Sequence, residues 1–378
     1  MKRKVVYVCS PLKGNYEKNI VKANLYCRYA YEKGCILNSR ILWFFSTCAF
    51  VLKDSKYIGY ADHAYAFLQD AFSDQENGGL FWSASYDGSP KDTTKHTYCQ
   101  AFGIYALTAY YRASGNKNAL KLASDLVDII ESRCRDERGY LEAFNADFSP
   151  ASNEKLSENG VLAARTMNTL LHVFEAYTLF YEVTKRADIA ALLREMLLLF
   201  KDRMYSPSKH RLEVFFDNNY HSLIDLISYG HDIEASWLID LGLEVLGDDE
   251  MTAALSPLTA DLADNILHTA FDGHSLPQEC EAGKVLEARE WWVQAETVNG
   301  FLNAYLKDPT KKEYKDALLS QWSYIKDHVI CDRAGAEWYT TLDKDGNPDL
   351  TKPFVQPWKC PYHNGRMCLE VIRRDVKF

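Results

Sequence analysis

Residues 77–135 read NGGLFWSASYDGSPKDTTKHTYCQAFGIYALTAYYRASGNKNALKLASDLVDIIESRCR, and the order of features in this stretch decides the fold. A long segment of Gly, Asp and aromatic residues leads into a helical period over 96–114, and only a short break separates it from a second helix over 117–135. The same order recurs around RGYLEAFNADFSP (138–150), HRLEVFFDNNY (210–220) and AEWYTTLDKDGNPD (336–349), several of which read as short strands or hairpins. Periodicity predicts twelve helices, at about 15–34, 38–52, 55–73, 96–114, 117–135, 162–185, 187–205, 223–247, 251–272, 290–308, 311–331 and 362–376. The long segments fall before the even members of this series and the short breaks before the odd ones. Such alternation describes helical hairpins repeated around a ring, with the elaborated loops on one face. Six hairpins make an all-α (α/α)6 barrel whose even helices form the inner ring and start at the loop-bearing face.

The bulk composition fits a soluble globular chain. Of 378 residues, 47% are apolar and 25% charged, which disfavours disordered and fibrous classes. The net charge of −9, with no basic face, argues against a nucleic-acid partner, because phosphate binding requires concentrated Lys and Arg. Ten cysteines lack a CxxC pair or zinc-ligand spacing, as expected of reduced thiols in a cytoplasmic protein. The basic N-terminus is followed by an apolar run too short for a signal peptide, and no stretch is expected to span a membrane. We expect a monomer acting on a small molecule. The unusual feature is aromatic content, with 24 Tyr, 18 Phe and 8 Trp; rings that do not fill the core offer apolar faces for sugars.

Six polar or aromatic clusters lie at or near the starts of the even helices, where a barrel brings them to one pocket: Asn38-Ser39-Arg40, Tyr98-Cys99-Gln100, Asn168 with His172, His231 with Glu234 and Trp237, Trp291-Trp292 with Glu296, and Trp358 with His363. Helix starts also present unpaired N–H groups and a positive dipole end, suited to a developing oxyanion. The spacing of His231, Glu234 and Trp237 suits a histidine acid or base with a carboxylate beside it; a local cap and a core tryptophan are the structural alternative. The run HDIE is not HExxH, and no metal is expected. Asn168 with His172, and Trp292 with Glu296, are i, i+4 pairs sharing a helix face. For Trp292 with Glu296 a sugar cradle competes with core packing, and for His172 with a satisfied buried histidine. Arg40 opens an apolar run and requires an acceptor, from substrate hydroxyls or an internal carboxylate.

The segments CILNSRILWFF, YCQAFGIYALTAYYRASG, MNTLLHVFEAYTLFY, ISYGHDIEASWL, EWWVQAETVNGFLNAY and PWKCPYHNGRMCLEVIRR, in order through residues 35–378, resemble the cellobiose 2-epimerases of the N-acylglucosamine 2-epimerase superfamily. The resemblance implies an (α/α)6 barrel that converts the reducing-end glucose of cellobiose or lactose to mannose without metal or redox cofactor. It implies His172, His231 and His363 as catalytic residues, and Arg40, Tyr98, Asn168, Glu234, Trp237, Trp292, Glu296 and Trp358 as substrate-binding residues. One departure is Leu170, where the family pattern usually carries a further histidine. Another is residues 1–34, whose VVYVCSPLKG looks like the opening strand and helix of nucleoside 2-deoxyribosyltransferase-like proteins. We read 1–34 as an atypical strand-helix segment without its own activity, whose helix at 15–34 substitutes for an outer barrel helix, and 35–378 as the barrel domain.

Epimerisation at C2 requires an acidic C–H, which only the open-chain aldehyde supplies, so the sugar ring must open first. A histidine free base then removes the C2 proton, and return from the opposite face inverts the centre. His231 and His363 are the expected pair, with His172 and Arg40 assisting ring opening and stabilising the enediolate oxygen. N-acylhexosamine epimerisation, aldose–ketose isomerisation, glycoside hydrolysis by Glu234 and Glu296, and an inactive sugar-binding barrel remain the alternatives.

Overall fold

The computed structural model describes residues 32–157, 159–333 and 336–375. Among these, eleven α-helices alternate inner and outer. The inner ones are α1 (Cys35–Leu52), α3 (Thr97–Ser114), α5 (Met167–Thr184), α7 (Tyr229–Leu246), α9 (Trp291–Lys307) and α11 (His363–Arg373), each packed on the next and α11 back on α1, so the ring closes. The outer ones, α2 (Lys56–Phe72), α4 (Lys117–Arg133), α6 (Ala187–Leu199), α8 (Asp249–Asn265) and α10 (Lys312–Tyr324), each pack on the inner helix before them. This is the expected (α/α)6 architecture.

Burial separates the two rings as periodicity requires. Helix α3 is buried continuously from Thr97 to Tyr110, having neighbours on every side. Helix α4 buries only Ala119, Ala123, Leu126, Val127 and Ile130, a single stripe, and exposes its charged face. Glycine allows close approach where α7 crosses α5, since a Cβ on Gly242 would stand 2.2 Å from Phe174.

The loops are stitched to one another. A short strand before each of the first five inner helices pairs antiparallel with a strand in the following loop: Glu32–Gly34 with Ser83–Ser85, Lys95–His96 with Ala143–Phe144, Arg165–Thr166 with Phe215–Phe216, Leu226–Ile227 with Cys280–Glu281, and Arg289–Glu290 with Thr341–Leu342. These clasps hold the starts of the inner helices in place. They also correct the sequence reading, which began two helices at 162 and 223. The extended clasp residues delay the starts to Met167 and Tyr229, and the Thr166 side chain caps α5 by accepting from the Thr169 N–H. The helix expected at 15–34 lies outside the described residues except at its end, where Glu32–Gly34 is a strand because it pairs with the first loop.

Helix α1 is more apolar than the sequence reading allowed: its 18 residues reach a mean hydropathy of 1.6 and satisfy the length and composition of a membrane span. Its placement accounts for much of the composition: it packs on the neighbouring inner and outer helices and is buried from Ile41 to Trp43 and Ser46 to Cys48, Arg40 within it is 3% exposed, and only its last turn carries exposed Phe50 and Leu52. The described cysteines form no disulfide.

Candidate active site

The six inner helices bring their starts together at the loop-bearing end of the ring. On α5, the His172 Nδ1 lies 2.8 Å from Glu175 Oε2, one turn further along the same helix. Asn168, one turn before His172, is half-buried and leaves its Oδ1 without a partner. On α7, His231 occupies the first turn, with Nδ1 2.7 Å from the hydroxyl of Ser228, the residue that precedes the helix. On α11, the first residue is His363, whose Nδ1 lies 2.8 Å from Glu296 Oε1 of α9.

Trp292 joins the last two histidines, with ring centroids 4.8 Å from His231 and 5.5 Å from His363. Its approach to α7 depends on Gly230, where a Cβ would lie 2.6 Å from the indole. On the other side of the pocket, Arg40 donates to the Trp358 carbonyl at 2.8 Å and to the Tyr98 hydroxyl at 3.1 Å. The guanidinium is also 4.5 Å from the centroids of Phe102 and Tyr362. Tyr98 meets the His172 ring edge-on at 5.0 Å, and Trp358 stands 5.9 Å from Trp82. A continuous chain of contacts therefore links the predicted residues, and Asn168 shares the His172 face.

Three expectations change. The acceptors of Arg40 are a carbonyl and a phenol, not a carboxylate. Trp237 offers no free stacking face: it is 1% exposed, donates its indole N–H to Glu296 at 3.1 Å, and lies 5.0 Å from the Arg366 guanidinium. Glu234 and Glu296 are not a free carboxylate pair, because both bind Arg366, Glu296 at 2.8 Å. Carboxylates sharing one guanidinium are poorly placed to exchange protons with a glycosidic oxygen, which counts against hydrolysis.

Arg366, one turn after His363, also pairs with Glu175, so a single buried cation contacts three buried carboxylates. Glu175, Tyr362, Arg366 and Ser228 were not singled out from the sequence. The first three carried a usable signal: Glu175 is three residues after His172, Tyr362 immediately precedes His363, and Arg366 is three residues after it. Ser228 had only its position before a helix.

Ligand atoms of Glu234, Glu296 and His363 lie within 4.8 Å of one another, close enough to hold a metal ion. The Arg366 guanidinium already supplies positive charge to both carboxylates, so a cation there meets a like charge.

Burial dominates the electrostatics. It pushes His231 down to about 3, with the His172 imidazole adding to the effect. Burial, together with Arg40 and Arg366, holds His363 well below the ordinary histidine value. His172 is lowered by burial against the opposing pull of Glu175. Burial thus favours the neutral imidazole at each of the three. Glu234 is pushed up to about 8 by burial, whereas Glu175, despite burial, is held well below the carboxylate range by Arg366, His172 and Tyr362.

The N-acylglucosamine 2-epimerase (GlcNAc 2-epimerase) family model matches residues 26–364, and a domain of unknown function (DUF7768) matches residues 4–44. The two matches overlap across the boundary expected at residue 34. The cellobiose 2-epimerase of Eubacterium cellulosolvens is 49% identical over 362 residues, 92% of this chain and 89% of that protein. A solved sugar epimerase from a ruminal bacterium superposes with a TM-score of 0.90 at 43% identity, covering 92% of this chain and 89% of its own. The solved cellobiose 2-epimerase from Bacillus thermoamylovorans B4167 gives a TM-score of 0.87 at 44% identity, covering 91% and 88%. With its family match spanning most of the barrel and near relatives matching over nine-tenths of its length, the chain belongs to the N-acylglucosamine 2-epimerase family, beside the cellobiose 2-epimerases.

Proposed function

We propose that the protein epimerises cellobiose at C2 of its reducing-end glucose, giving glucosylmannose, and acts likewise on lactose. The observation that carries this reading is the arrangement of His231 and His363 against one shared ring, Trp292, next to the cationic Arg40 side of the site. The cellobiose 2-epimerases among its relatives support the choice of substrate. Trp358 and Trp292, both half-buried, supply apolar faces for the disaccharide.

In this reading the sugar ring opens with help from His172 and Arg40. One of His231 and His363, as the free base, takes the C2 proton and becomes imidazolium, while the other, which enters this step as imidazolium, gives its proton to the opposite face; proton exchange with solvent resets the pair. As the proton leaves, negative charge develops on the enediolate oxygen, and Arg40, whose guanidinium donates to a carbonyl and a phenol and not to a carboxylate, is the nearby cation. Burial favours the free-base form that the abstracting histidine requires.

Incubation with cellobiose in heavy water, with N-acetylmannosamine and free mannose run beside it, followed by NMR of the recovered sugars, tests the proposal. Deuterium at C2 of the reducing-end residue in both epimers is expected. Release of two monosaccharides would replace epimerisation by hydrolysis. No label in any sugar, with a folded protein, would reject it, and label confined to N-acetylmannosamine or free mannose would move the substrate to a monosaccharide.

A further inference from the structure

The two histidines bound to carboxylates are not separately anchored. His172 is held by Glu175 and His363 by Glu296, and both carboxylates meet on Arg366. Glu175 has further partners: the Tyr362 hydroxyl lies 2.9 Å from its Oε1 and 2.7 Å from its Oε2, and Arg366 Nη1 donates to Tyr362 at 2.6 Å as well as to Oε1. The whole group is buried, with Glu175 4%, Tyr362 0%, Arg366 1% and His172 3% exposed.

These contacts determine which histidine nitrogen carries the proton. Guanidinium is donor only, so the Tyr362 oxygen accepts from Arg366 and its O–H is left to donate to Glu175. A carboxylate surrounded by these donors is ionised and accepts only, so the group facing it on His172 must be an Nδ1–H. We propose that Glu175 is a positioning residue that holds His172 as the Nδ1–H tautomer, leaving Nε2 as its only proton-accepting nitrogen, and fastens that histidine through Arg366 to the Glu296–His363 pair. The role in catalysis rests on the C2 epimerisation proposed above; the tautomer does not.

Selective 15N-histidine labelling and two-bond 1H–15N NMR of the full chain, with His172 identified by loss of its signals in His172→Asn, read the tautomer directly. In the unsubstituted protein at pH 7, His172 is expected as Nδ1–H; an Nε2–H pattern overturns the proposal without any variant. Glu175→Gln tests the cause. The amide oxygen is expected to face Arg366, turning the amide N–H₂ to His172 Nδ1 and moving the ring proton to Nε2. Turnover of cellobiose should then fall about 10²–10⁴-fold, as when an orienting carboxylate beside a catalytic histidine becomes an amide, with KM within about threefold. A residue that matters only for folding would lower Tm and leave the tautomer in place, and that result rejects the positioning role. Tyr362→Phe keeps the carboxylate and Arg366, and should keep the Nδ1–H tautomer; a switch there would assign the control to Tyr362 instead. If the chain fails to exchange C2 of cellobiose while His172 shows the expected tautomers, the substrate reading falls and the positioning role stands.

Discussion

Replacing Arg366 with Met tests the buried charge cluster at its centre. Arg366 is 1% exposed and bonds Glu175, Glu234 and Glu296, which are 4%, 0% and 0% exposed. Met preserves the stem and much of the volume but removes the only cation in these contacts. Breaking a buried pair by deleting one partner costs about 3–5 kcal/mol, because the remaining charge is uncompensated. With about 2.1 cal/mol/K of unfolding entropy per residue, a chain of 378 residues carries about 0.8 kcal/mol/K, so Tm should fall by about 4–6 °C at pH 7. The pH dependence is specific. In the unsubstituted protein Glu175 is held below its unfolded value by Arg366, so its contribution is present above the unfolded carboxylate pKa and lost as pH falls through the folded one. Without Arg366, burial is opposed only by His172 and Tyr362, so the Glu175 pKa rises, its ionised form is less favoured at pH 7, and protonation relieves that cost as pH falls. The Tm gap between the two proteins should therefore narrow from pH 8 to pH 5, as calorimetry or thermal circular dichroism would show. A gap below about 1 °C, or one constant across that range, would refute the charge reasoning.

Further outcomes follow from the same geometry. His231→Asn and His363→Asn should each abolish C2 deuterium exchange while leaving the helical circular dichroism unchanged; near-normal turnover in either would remove that residue from the proposed pair. Gly242→Ala should destabilise by about 1–3 kcal/mol through overpacking, because its Cβ would fall 2.2 Å from Phe174 and 3.1 Å from the Thr178 hydroxyl, and an unchanged Tm would show that α5 and α7 separate freely. Dialysis against EDTA should leave the epimerisation rate unchanged, since Arg366 already supplies the positive charge beside Glu234 and Glu296. A large loss restored by added metal would show that an ion competes successfully for those carboxylates.

The barrel was legible in the sequence because it is written in local terms. Helical period, the alternation of long and short connections, and the difference between continuous and striped apolar patterns all depend on neighbours within one or two turns. Helices α3 and α4 illustrate this, one buried along most of its length and the other along a stripe. The histidines were legible for the same reason, since each sits near the start of an inner helix. Tertiary structure alone decided what each polar side chain faces. Glu234 and Glu296 looked like a carboxylate pair until a residue from the last inner helix, Arg366, entered between them, and Trp237 looked like a sugar platform until its indole was turned to Glu296. The strand clasps that set the starts of α5 and α7 likewise join residues about 50 positions apart, such as Arg165 with Phe216. A ring brings residues from six separate helices to one axis, and burial there couples their charges; neither the meeting nor the loss of water is encoded in the spacing along any one helix.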